Sequence, residues 1–238
     1  MQSVLITGAN GGLGKALVEI FQKNNFEIIA LDIKFNNLVK FKDKINFIKY
    51  DLSNKKKISK ISKIINKNKI DLLINNAAIC EPQSIDNIKI DNFMKTLNIN
   101  FISHVFLTLN LLENIKKNNG TIVNISSIHA NISKKNFLPY ALSKSALTSF
   151  SKNLSLESSG KFSVINIEPG AVSTKMLNKD LSPRQIKSLT KIIPNKKIID
   201  TKNLSQLIYS FTNPKIKQLL NGVNIQIDGG ISNLLNDN

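Results

Sequence analysis

The segment TGANGGLG, Thr7 to Gly14, follows directly on the apolar run Val4–Ile6, and a helical pattern begins at Leu13. Its glycines stand at positions 8, 11, 12 and 14. Glycines let the backbone pass close to a pyrophosphate and turn tightly into a helix, whose first N–H groups attract the anion. A strand, a glycine-rich turn and a helix in this order predict the first unit of a dinucleotide-binding α/β domain.

Apolar, β-branched runs recur along the whole chain, and a segment of helical character separates each from the next. The runs are Val4–Ile6, Ile28–Leu31, Phe47–Ile48, Leu72–Ile74, Ile122–Ile125, Val164–Ile167 and Val223–Ile227. Strands that alternate with helices predict a parallel sheet covered on both faces. The seven runs fill the 238 residues without a repeat or a linker, so we expect one domain over residues 1–238.

Residues 173–200 interrupt this alternation. The stretch is polar and contains Pro183 and Pro194. Long insertions between elements are commonly lids or binding loops. We therefore expect residues 173–200 to form a mobile substrate-binding loop after the sixth strand.

The chain is strongly basic, with a formal net charge of +17. Such a charge is also typical of nucleic-acid-binding proteins. Here 32 lysines, 33 asparagines and 36 isoleucines accompany a single arginine, Arg184, a bias that indicates codon drift. A protein selected to grip phosphates would use the planar fork of arginine, so we expect no specific nucleic-acid partner.

Further features bear on location. The longest apolar runs are a few residues, far below the ~18 needed to cross a bilayer, and we expect no membrane association. The first strand begins near Met1 and leaves no room for a secretory signal, so we expect the mature chain to start there. The lone cysteine, Cys80, excludes an intrachain disulfide, which fits a cytoplasmic protein.

More motifs follow in order along the chain. They are NNAA (Asn75–Ala78), Asn100 within LNINF, IVNISS ending at Ser127, YALSK (Tyr140–Lys144), EPGAVST (Glu168–Thr174) and DGG (Asp228–Gly230). Ser127 stands 13 residues before Tyr140, and Lys144 four residues after it. With the TGxxxGxG spacing, this series resembles the short-chain dehydrogenase/reductase family over nearly the full chain. Ala78 departs from the family's NNAG, where a glycine is usual, and adds only a methyl group.

The resemblance implies a Rossmann fold, a doubly wound parallel sheet of seven strands in the order 3-2-1-4-5-6-7. It also implies an oxidoreductase that interconverts a secondary alcohol and a ketone with NAD(H). The cofactor contacts that it implies are Gly8, Asn10, Gly12, Leu13, Gly14, Asp32, Asp51, Leu52, Asn76, Ala77, Ala78, Tyr140, Lys144, Pro169, Gly170, Val172 and Thr174. For Asp51, a helix N-cap is an equally good interpretation.

The chemistry follows from the catalytic candidates Asn100, Ser127, Tyr140 and Lys144. Tyr140 and Lys144, at i and i+4 of a helix, point to the same side. A nearby ammonium and an oxidised nicotinamide would stabilise the phenolate and draw its pKa, near ~10 in free tyrosine, toward working pH. Ser127 can hold the substrate oxygen. By the resemblance, Asn100 anchors a water in a proton relay to Lys144.

The choice between NAD and NADP depends on Asp32, which ends the second run 18 residues beyond Gly14. A carboxylate there accepts hydrogen bonds from the adenosine ribose and repels a 2′-phosphate. Family members that prefer NADP often carry a cation where this chain has Gly11. We therefore expect NAD to be preferred over NADP, although Lys34 lies close by.

The substrate stays open between a sugar derivative, a small polyol and a 3-oxoacyl thioester, as in the acyl-carrier-protein reductases. A non-catalytic NAD-sensing or nucleic-acid-associated protein is the alternative of another class, and the complete proton relay argues against it. His104 and His129 have no acidic or cysteine cluster around them, so we expect no metal site.

The family resemblance also implies a homotetramer or homodimer. Apolar stripes on the two helices after Asp91 and Pro139 are expected to meet the sheet. They comprise Phe101, Val105, Leu109 and Leu112 on one helix, and Leu142, Ala146, Phe150 and Leu154 on the other. Phe106 and Leu147 lie beyond these stripes and indicate a second buried face, which in a single domain requires a partner subunit.

Overall fold

A computed structural model describes residues 1–36, 38, 45–54, 58–132 and 134–234. Seven parallel strands form one sheet in the order β3-β2-β1-β4-β5-β6-β7, as predicted. The strands are β1 (Ser3–Thr7), β2 (Glu27–Asp32), β3 (Ile45–Lys49), β4 (Leu72–Asn75), β5 (Thr121–Ile125), β6 (Ser163–Pro169) and β7 (Asn224–Ile227). The chain order changes direction between β1 and β4, which is where doubly wound sheets bind their ligands.

Helices connect the strands on both sides of the sheet. They are α1 (Gly12–Lys23), α2 (Ile58–Ile65), α3 (Ile90–Leu97), α4 (Ser103–Lys117), α5 (Leu138–Leu156), α6 (Lys175–Asp180), α7 (Pro183–Ile192), α8 (Thr201–Ser210) and α9 (Pro214–Leu219). A π-helical turn, Asn98–Ile102, joins α3 to α4. Among the described residues, no helix is both long and apolar enough to cross a bilayer.

The first face of the sheet is the face that α1 and α8 cover. Its core is mainly apolar and includes Val4, Leu17, Phe21 and Ile208, each fully buried. The rings of Phe21 and Phe26 meet edge to face at 5.0 Å. Such an apolar cluster forms where the inward-facing residues of buried strands pack against the apolar side of a helix.

The second face is the face that α2, α4 and α5 cover, and it has two halves. Leu73, Ile122 and Val164 pack there against the helices near the amino ends of the strands. Toward the carboxyl ends, a row of buried asparagines crosses three strands in register, Asn75 on β4, Asn124 on β5 and Asn166 on β6.

The asparagine row bonds to the polar side of the helices. Asn75 donates to the Thr108 hydroxyl at 3.0 Å and to Asn124 Oδ1 at 2.8 Å. Asn124 in turn donates to the Ser151 hydroxyl at 2.7 Å. Helices α4 and α5 therefore present hydroxyls, as well as apolar side chains, to the sheet.

This polar contact explains an error in the predicted helix stripes. Leu109 and Leu142 were expected to meet the sheet, but they are 49% and 45% exposed, whereas Leu147 is fully buried against it. The prediction assumed that the sheet-facing side is the most apolar one. It fails because the sheet itself carries asparagines beneath these helices, so serine and threonine face inward.

Residues 173–200 contain two helices, α6 and α7, where a loop was expected. Ser182 and Gln185 form a reciprocal capping box at the start of α7. Proline follows the cap at the first helical position, where its missing N–H costs nothing. The polar composition of this stretch thus reflects exposed helix surface.

Candidate active site

The glycine-rich turn holds its shape through close backbone contacts. Gly8 has φ +64°, a left-handed conformation in which a side chain is strained. A Cβ on Gly14 would lie 2.0 Å from the Gly8 carbonyl oxygen, so no side chain fits there. A Cβ on Gly12 would lie 2.9 Å from the Thr174 methyl group, which places α6 beside the turn. These glycines create a bare backbone cradle at the start of α1, and such a cradle fits a pyrophosphate.

Asn76 links the cradle to the end of β4. Its amide donates to the carbonyls of Thr7 and Gly8 at 3.0 and 3.1 Å. The Thr7 hydroxyl accepts the backbone N–H groups of Asn76 and Ala77 at 2.9 and 3.1 Å. Gly8 is in close contact with the backbone of Ala77, whereas Ala78, the departure from the family motif, does not limit this approach. Asn76 therefore fixes the shape of the cradle from behind.

Asp32 lies at the carboxyl end of β2, as predicted. Its Oδ2 accepts the backbone N–H of Asn10 at 2.9 Å, and its Oδ1 accepts that of Ile33 at 2.7 Å. The Asn10 side chain donates to Asn36 at 2.9 Å. The carboxylate is thus held at the rim of the cradle with acceptor capacity left for further donors.

A groove continues from Asp32 along the ends of β2 and β3. Ile33, Asp51, Asn54 and Lys60 line it. Asp51 accepts the Ser53 N–H at 2.8 Å within a turn, and residues 52–54 directly after it are not helical, so the helix N-cap interpretation is wrong. Leu52 is buried below the groove, and Ile33, which is 54% exposed, was missed by the sequence analysis.

Ser127 and Tyr140 meet beyond the other side of the cradle. Ser127 is 6% exposed and caps a short 3₁₀ turn, Ile128–Ala130, by accepting the His129 N–H at 3.2 Å. Tyr140 lies in the first turn of α5, after Pro139. The Ser127 hydroxyl lies close enough to the Tyr140 hydroxyl to lower its pKa as a hydrogen-bond partner. The sequence predicted this pair, and the fold brings it together.

Lys144 lies one helical turn beyond Tyr140. Its Nζ is 5.8 Å from the centre of the Tyr140 ring and donates to the Ile125 carbonyl at 2.7 Å. The residue is only 1% exposed. An ammonium has three donors, so this one protein acceptor leaves capacity for other partners.

Burial dominates the electrostatics of this pair. It lowers the pKa of Lys144 to about 7. Burial also raises the pKa of Tyr140, Cys80 adds to that rise, and the Ser127 hydrogen bond partly offsets it. Burial thus outweighs the lowering that the protein's own groups give the phenol pKa. The lowering expected from the sequence also depends on the charge of a bound oxidised nicotinamide and stays a prediction.

Asn100 lies in the π-helical turn and is fully buried. Its amide donates to the Ile79 carbonyl at 2.9 Å and to the Ser143 hydroxyl at 3.0 Å, and its Oδ1 accepts the Ile79 N–H at 2.9 Å. The side chain therefore ties the segment after β4 to α5. π-helical turns often mark functional sites, and nothing in the sequence predicted this one.

His104 follows Asn100 by one turn and is fully buried, with Nε2 3.5 Å from the Thr7 hydroxyl. Burial lowers the pKa of His104 to about 3, and the charge of Lys144 adds to this effect. The imidazole is therefore neutral. In the described part of the chain, no group of three or more His, Cys, Asp and Glu residues lies together as metal ligands would.

The remaining predicted contacts lie after β6 and at the start of α1. Pro169 and Gly170 end β6, and a Cβ on Gly170 would lie 3.0 Å from the backbone of Asp228. Val172 pairs with Ile199 in an isolated bridge that closes the base of residues 173–200. Thr174 caps α6 and contacts Gly12. Leu13 is buried beneath the cradle.

Comparison with known proteins agrees with this architecture. A family model described as short chain dehydrogenase matches residues 2–185. The 3-oxoacyl-acyl-carrier-protein reductase FabG of Buchnera aphidicola subsp. Baizongia pistaciae is 32% identical over 238 residues, covering 95% of this chain and 96% of that protein. The L-rhamnose 1-dehydrogenase (NADP(+)) of Thermoplasma acidophilum is 28% identical over 198 residues, with 77% and 78% covered.

Solved structures are similar over the whole chain. A 4-hydroxyisoleucine dehydrogenase complexed with NADH has a TM-score of 0.92 at 25% identity and covers 99% of this chain and 100% of its own. ElxO with NADP bound has a TM-score of 0.87 at 26% identity, with 98% and 99% covered. Fold, motif order and family model agree, and the chain belongs to the short-chain dehydrogenase family, as an oxidoreductase with an NAD(P)-binding Rossmann fold that acts on CH–OH and keto groups.

Proposed function

We propose that this enzyme transfers a hydride between NAD(H) and a secondary alcohol or ketone, with Tyr140 as the acid and base. The observation that carries the proposal is the buried contact of Ser127 with Tyr140, with Lys144 Nζ 5.8 Å from the phenol ring. A phenol, a hydroxyl and an amine that converge beside a glycine cradle can bind a carbonyl oxygen and move a proton to it.

Each residue has a distinct task in the proposed reaction. A bound nicotinamide supplies or accepts the hydride and, when oxidised, adds a positive charge to the site. The Tyr140 hydroxyl gives its proton to the ketone oxygen in reduction and takes it back in oxidation. Ser127 holds the same oxygen by a hydrogen bond. Lys144 binds the nicotinamide ribose, and Asn100 holds the segments around Ile79 and Ser143 in place and anchors the relay water.

Asp32 supports a preference for NAD over NADP. Its carboxylate stands at the rim of the cradle, where the adenosine ribose of a bound dinucleotide would lie, and negative charge there repels a 2′-phosphate. Relatives and neighbours include proteins named with NADH and with NADP, so the preference of this chain rests on Asp32 itself.

For the substrate, we propose a hydroxyl on a sugar derivative or small polyol. A second candidate is a 3-oxoacyl thioester on an acyl carrier protein. The 32% identity to FabG over nearly both full lengths favours that second candidate. The fold alone does not choose between these substrates. In either case, α6 and α7, which lie within residues 173–200, would form the cover of the substrate-binding site.

The deciding experiment measures the change in NADH absorbance with matched panels of sugars, polyols and 3-oxoacyl thioesters. We expect Tyr140→Phe to reduce kcat by ~10² to 10⁴ while cofactor affinity stays within about twofold, because only the mobile proton is lost. If Tyr140→Phe keeps more than about a tenth of wild-type turnover on the best substrate, the acid–base assignment is wrong.

We further propose that the enzyme is a homotetramer or homodimer. Phe106, Leu109, Leu138 and Leu142 on the outer sides of α4 and α5 are each 42–49% exposed. Several exposed apolar side chains on neighbouring helices indicate a surface that another subunit covers. Light scattering at micromolar concentration should give a multiple of the 26.5 kDa chain mass, and a monomeric mass would contradict the proposal.

A further inference from the structure

Glu168 carries a carboxylate that is buried at the carboxyl end of β6. It opens the motif EPGAVST, and the sequence predicted no role for it. It is 2% exposed. Its Oε1 accepts the Thr148 hydroxyl at 3.0 Å and the Asn166 amide at 3.2 Å, and its Oε2 accepts the Asn131 amide at 2.8 Å. Among the described residues, the ion pairs involve other carboxylates, and no lysine or arginine lies within 4.0 Å of this one.

A buried carboxylate without a counter-ion is costly unless donors surround it. An apolar residue would pack at this position without that cost. The acid is accommodated here because three neutral donors from three different segments converge on it. This arrangement holds those donors in fixed positions.

The residues on either side of the Ser127 turn lie next to this group of donors. Asn131 directly follows the 3₁₀ turn that Ser127 begins. On the other side, the hydroxyl of Ser126 lies 2.9 Å from that of Thr148, which bonds to Glu168. Asn131 thus joins the end of the Ser127 turn to the carboxylate by a hydrogen bond, while Ser126, before the turn, is in contact with Thr148, a second partner of that carboxylate.

The same connections reach α5, which carries Tyr140 and Lys144. Ser126 donates to the Lys144 carbonyl at 2.9 Å. A separate bond, from the Ser145 hydroxyl to the Ala130 carbonyl at 2.6 Å, ties the turn to α5 directly. Asn131 is the member of this network that lies largely at the surface.

We propose that Glu168 and Asn131 form a clamp that positions the Ser127 hydroxyl against Tyr140. Both are positioning residues, since neither contacts Tyr140 or Lys144 directly. The inference rests on the proposed function, because it assigns the clamp to the serine that holds the substrate oxygen. Its physical basis is that a charge-assisted hydrogen bond is stronger and more directional than a neutral one.

The first test is Asn131→Ala, which removes one arm of the clamp at an exposed position and should leave the fold intact. We expect kcat to fall about tenfold, less than for Ser127→Ala, because the Ser145 bond remains. The cofactor Kd should stay within about twofold. In the oxidation direction, the apparent pKa of kcat should rise, since the Ser127 hydrogen bond lowers the Tyr140 pKa. If Asn131→Ala keeps the kcat and the pH profile of the wild type, the proposed clamp is wrong.

The matched control is Asn153→Ala, which removes another exposed asparagine amide on α5, bonded to the Ser149 carbonyl at 2.9 Å. We expect it to leave kcat and the pH profile unchanged. A decrease as large as that of Asn131→Ala would mean that the loss is general to such substitutions and would contradict the proposal.

A double-mutant cycle tests whether the clamp acts through Ser127. In a Ser127→Ala background, Asn131→Ala should have no further effect on kcat. A full tenfold loss in that background would show that Asn131 acts on another group.

A reciprocal exchange tests the donor and acceptor pattern. In Glu168→Gln the amide oxygen can still accept from Thr148 and Asn166, and its N–H can donate to Asn131 once that side chain turns its Oδ1 inward, so a neutral bond replaces the charge-assisted one and kcat should fall by less than in Asn131→Ala. Adding Asn131→Asp restores a charge-assisted bond with the charge on the solvent side, so most of the lost kcat should return. If the double variant is no better than Glu168→Gln, the clamp is excluded.

These outcomes separate the clamp from the proposed function. If Tyr140→Phe and Ser127→Ala lose activity while Asn131→Ala matches the wild type, the function holds and the clamp fails. If Tyr140→Phe retains activity, both fail together.

Discussion

The two faces of the sheet are built on different physical principles. The first face, under α1 and α8, is a continuous apolar core in which Leu17, Phe21 and Ile208 are fully buried. The second face is apolar near the amino ends of the strands, but toward the carboxyl ends it carries Asn75, Asn124 and Glu168 under α4 and α5. The first face thus depends mainly on apolar packing, whereas the second also carries the side chains proposed for catalysis.

The polar half of the second face carries a desolvation cost, in free energy, that the apolar first face largely avoids. A buried amide or carboxylate is tolerated only while its hydrogen bonds are made, whereas buried aliphatic side chains need only good packing. This network ends at the helix that carries Tyr140 and Lys144. A network that holds reacting groups in one arrangement is worth that cost in an enzyme.

The largest expected effect tests the first face. Phe21→Ala should lower the free energy of unfolding by about 4 kcal/mol, because it empties the centre of the cluster with Phe26 and Tyr209. At temperatures where the variant is folded, kcat should be unchanged. Urea unfolding followed by circular dichroism measures the loss, with Leu156→Ala, at an 81% exposed position, as the control. A loss below about 1 kcal/mol would contradict the description of this face as a tightly packed apolar core.

The next prediction concerns the second face, where removal of a buried amine should raise the free energy of unfolding. Burial lowers the pKa of Lys144 to about 7, so the folded protein binds fewer protons here than the unfolded chain between about pH 7 and the ordinary lysine value. Stability therefore rises with pH across this window, and the cost of burying the amine is greatest at its neutral-pH end and below. Lys144→Met should gain on the order of 2 kcal/mol at pH 7 in the absence of cofactor, after the loss of the Ile125 hydrogen bond.

The same variant should lose both turnover and cofactor affinity, since Lys144 is proposed to hold the ribose and to support the phenolate. Thermal unfolding of wild type and variant from pH 7 to pH 10 should show the two curves converge as pH rises. A less stable variant at pH 7 would mean that Lys144 stabilises the fold, contrary to the contrast between the two faces.

The smallest expected effect lies between the faces, at the edge of the cradle. Asp32→Ala should narrow the preference for NADH over NADPH by about tenfold, because it removes one charge repulsion from the 2′-phosphate. Fluorescence titration of each cofactor against wild type and variant measures the ratio. Tighter binding of NADPH than NADH by the wild type would reject the proposed preference.

The prediction of the fold from the sequence depended on local patterns. The run Val4–Ile6 and the turn that follows it predicted β1, the cradle and the start of α1 to within one residue. The seven runs predicted seven strands because parallel strands are buried on both faces and so remain apolar throughout. The sheet-facing sides of α4 and α5 could not be predicted, because their polarity is matched to asparagines that lie far away in the chain.

For the candidate site, the family resemblance named Ser127, Tyr140 and Lys144. Helix geometry added that Tyr140 and Lys144 lie on one side of a helix, since i and i+4 share a side whatever surrounds them. Their protonation was not predictable in this way. The pKa of Lys144 falls and that of Tyr140 rises because the fold removes water from both groups. Desolvation is a property of everything packed around a group, and no local motif reports it.

The sequence by itself therefore determined the order of the elements and the glycine cradle, which depend on neighbours within a few residues, and its ordered motifs named the candidate catalytic side chains. Only the tertiary structure decided which helix sides are buried, where the π-helical turn falls, and that Glu168 meets Asn131 across 37 residues. The reason is physical. Burial and hydrogen-bond partners in a parallel sheet come from segments that crossover connections bring together from distant parts of the chain.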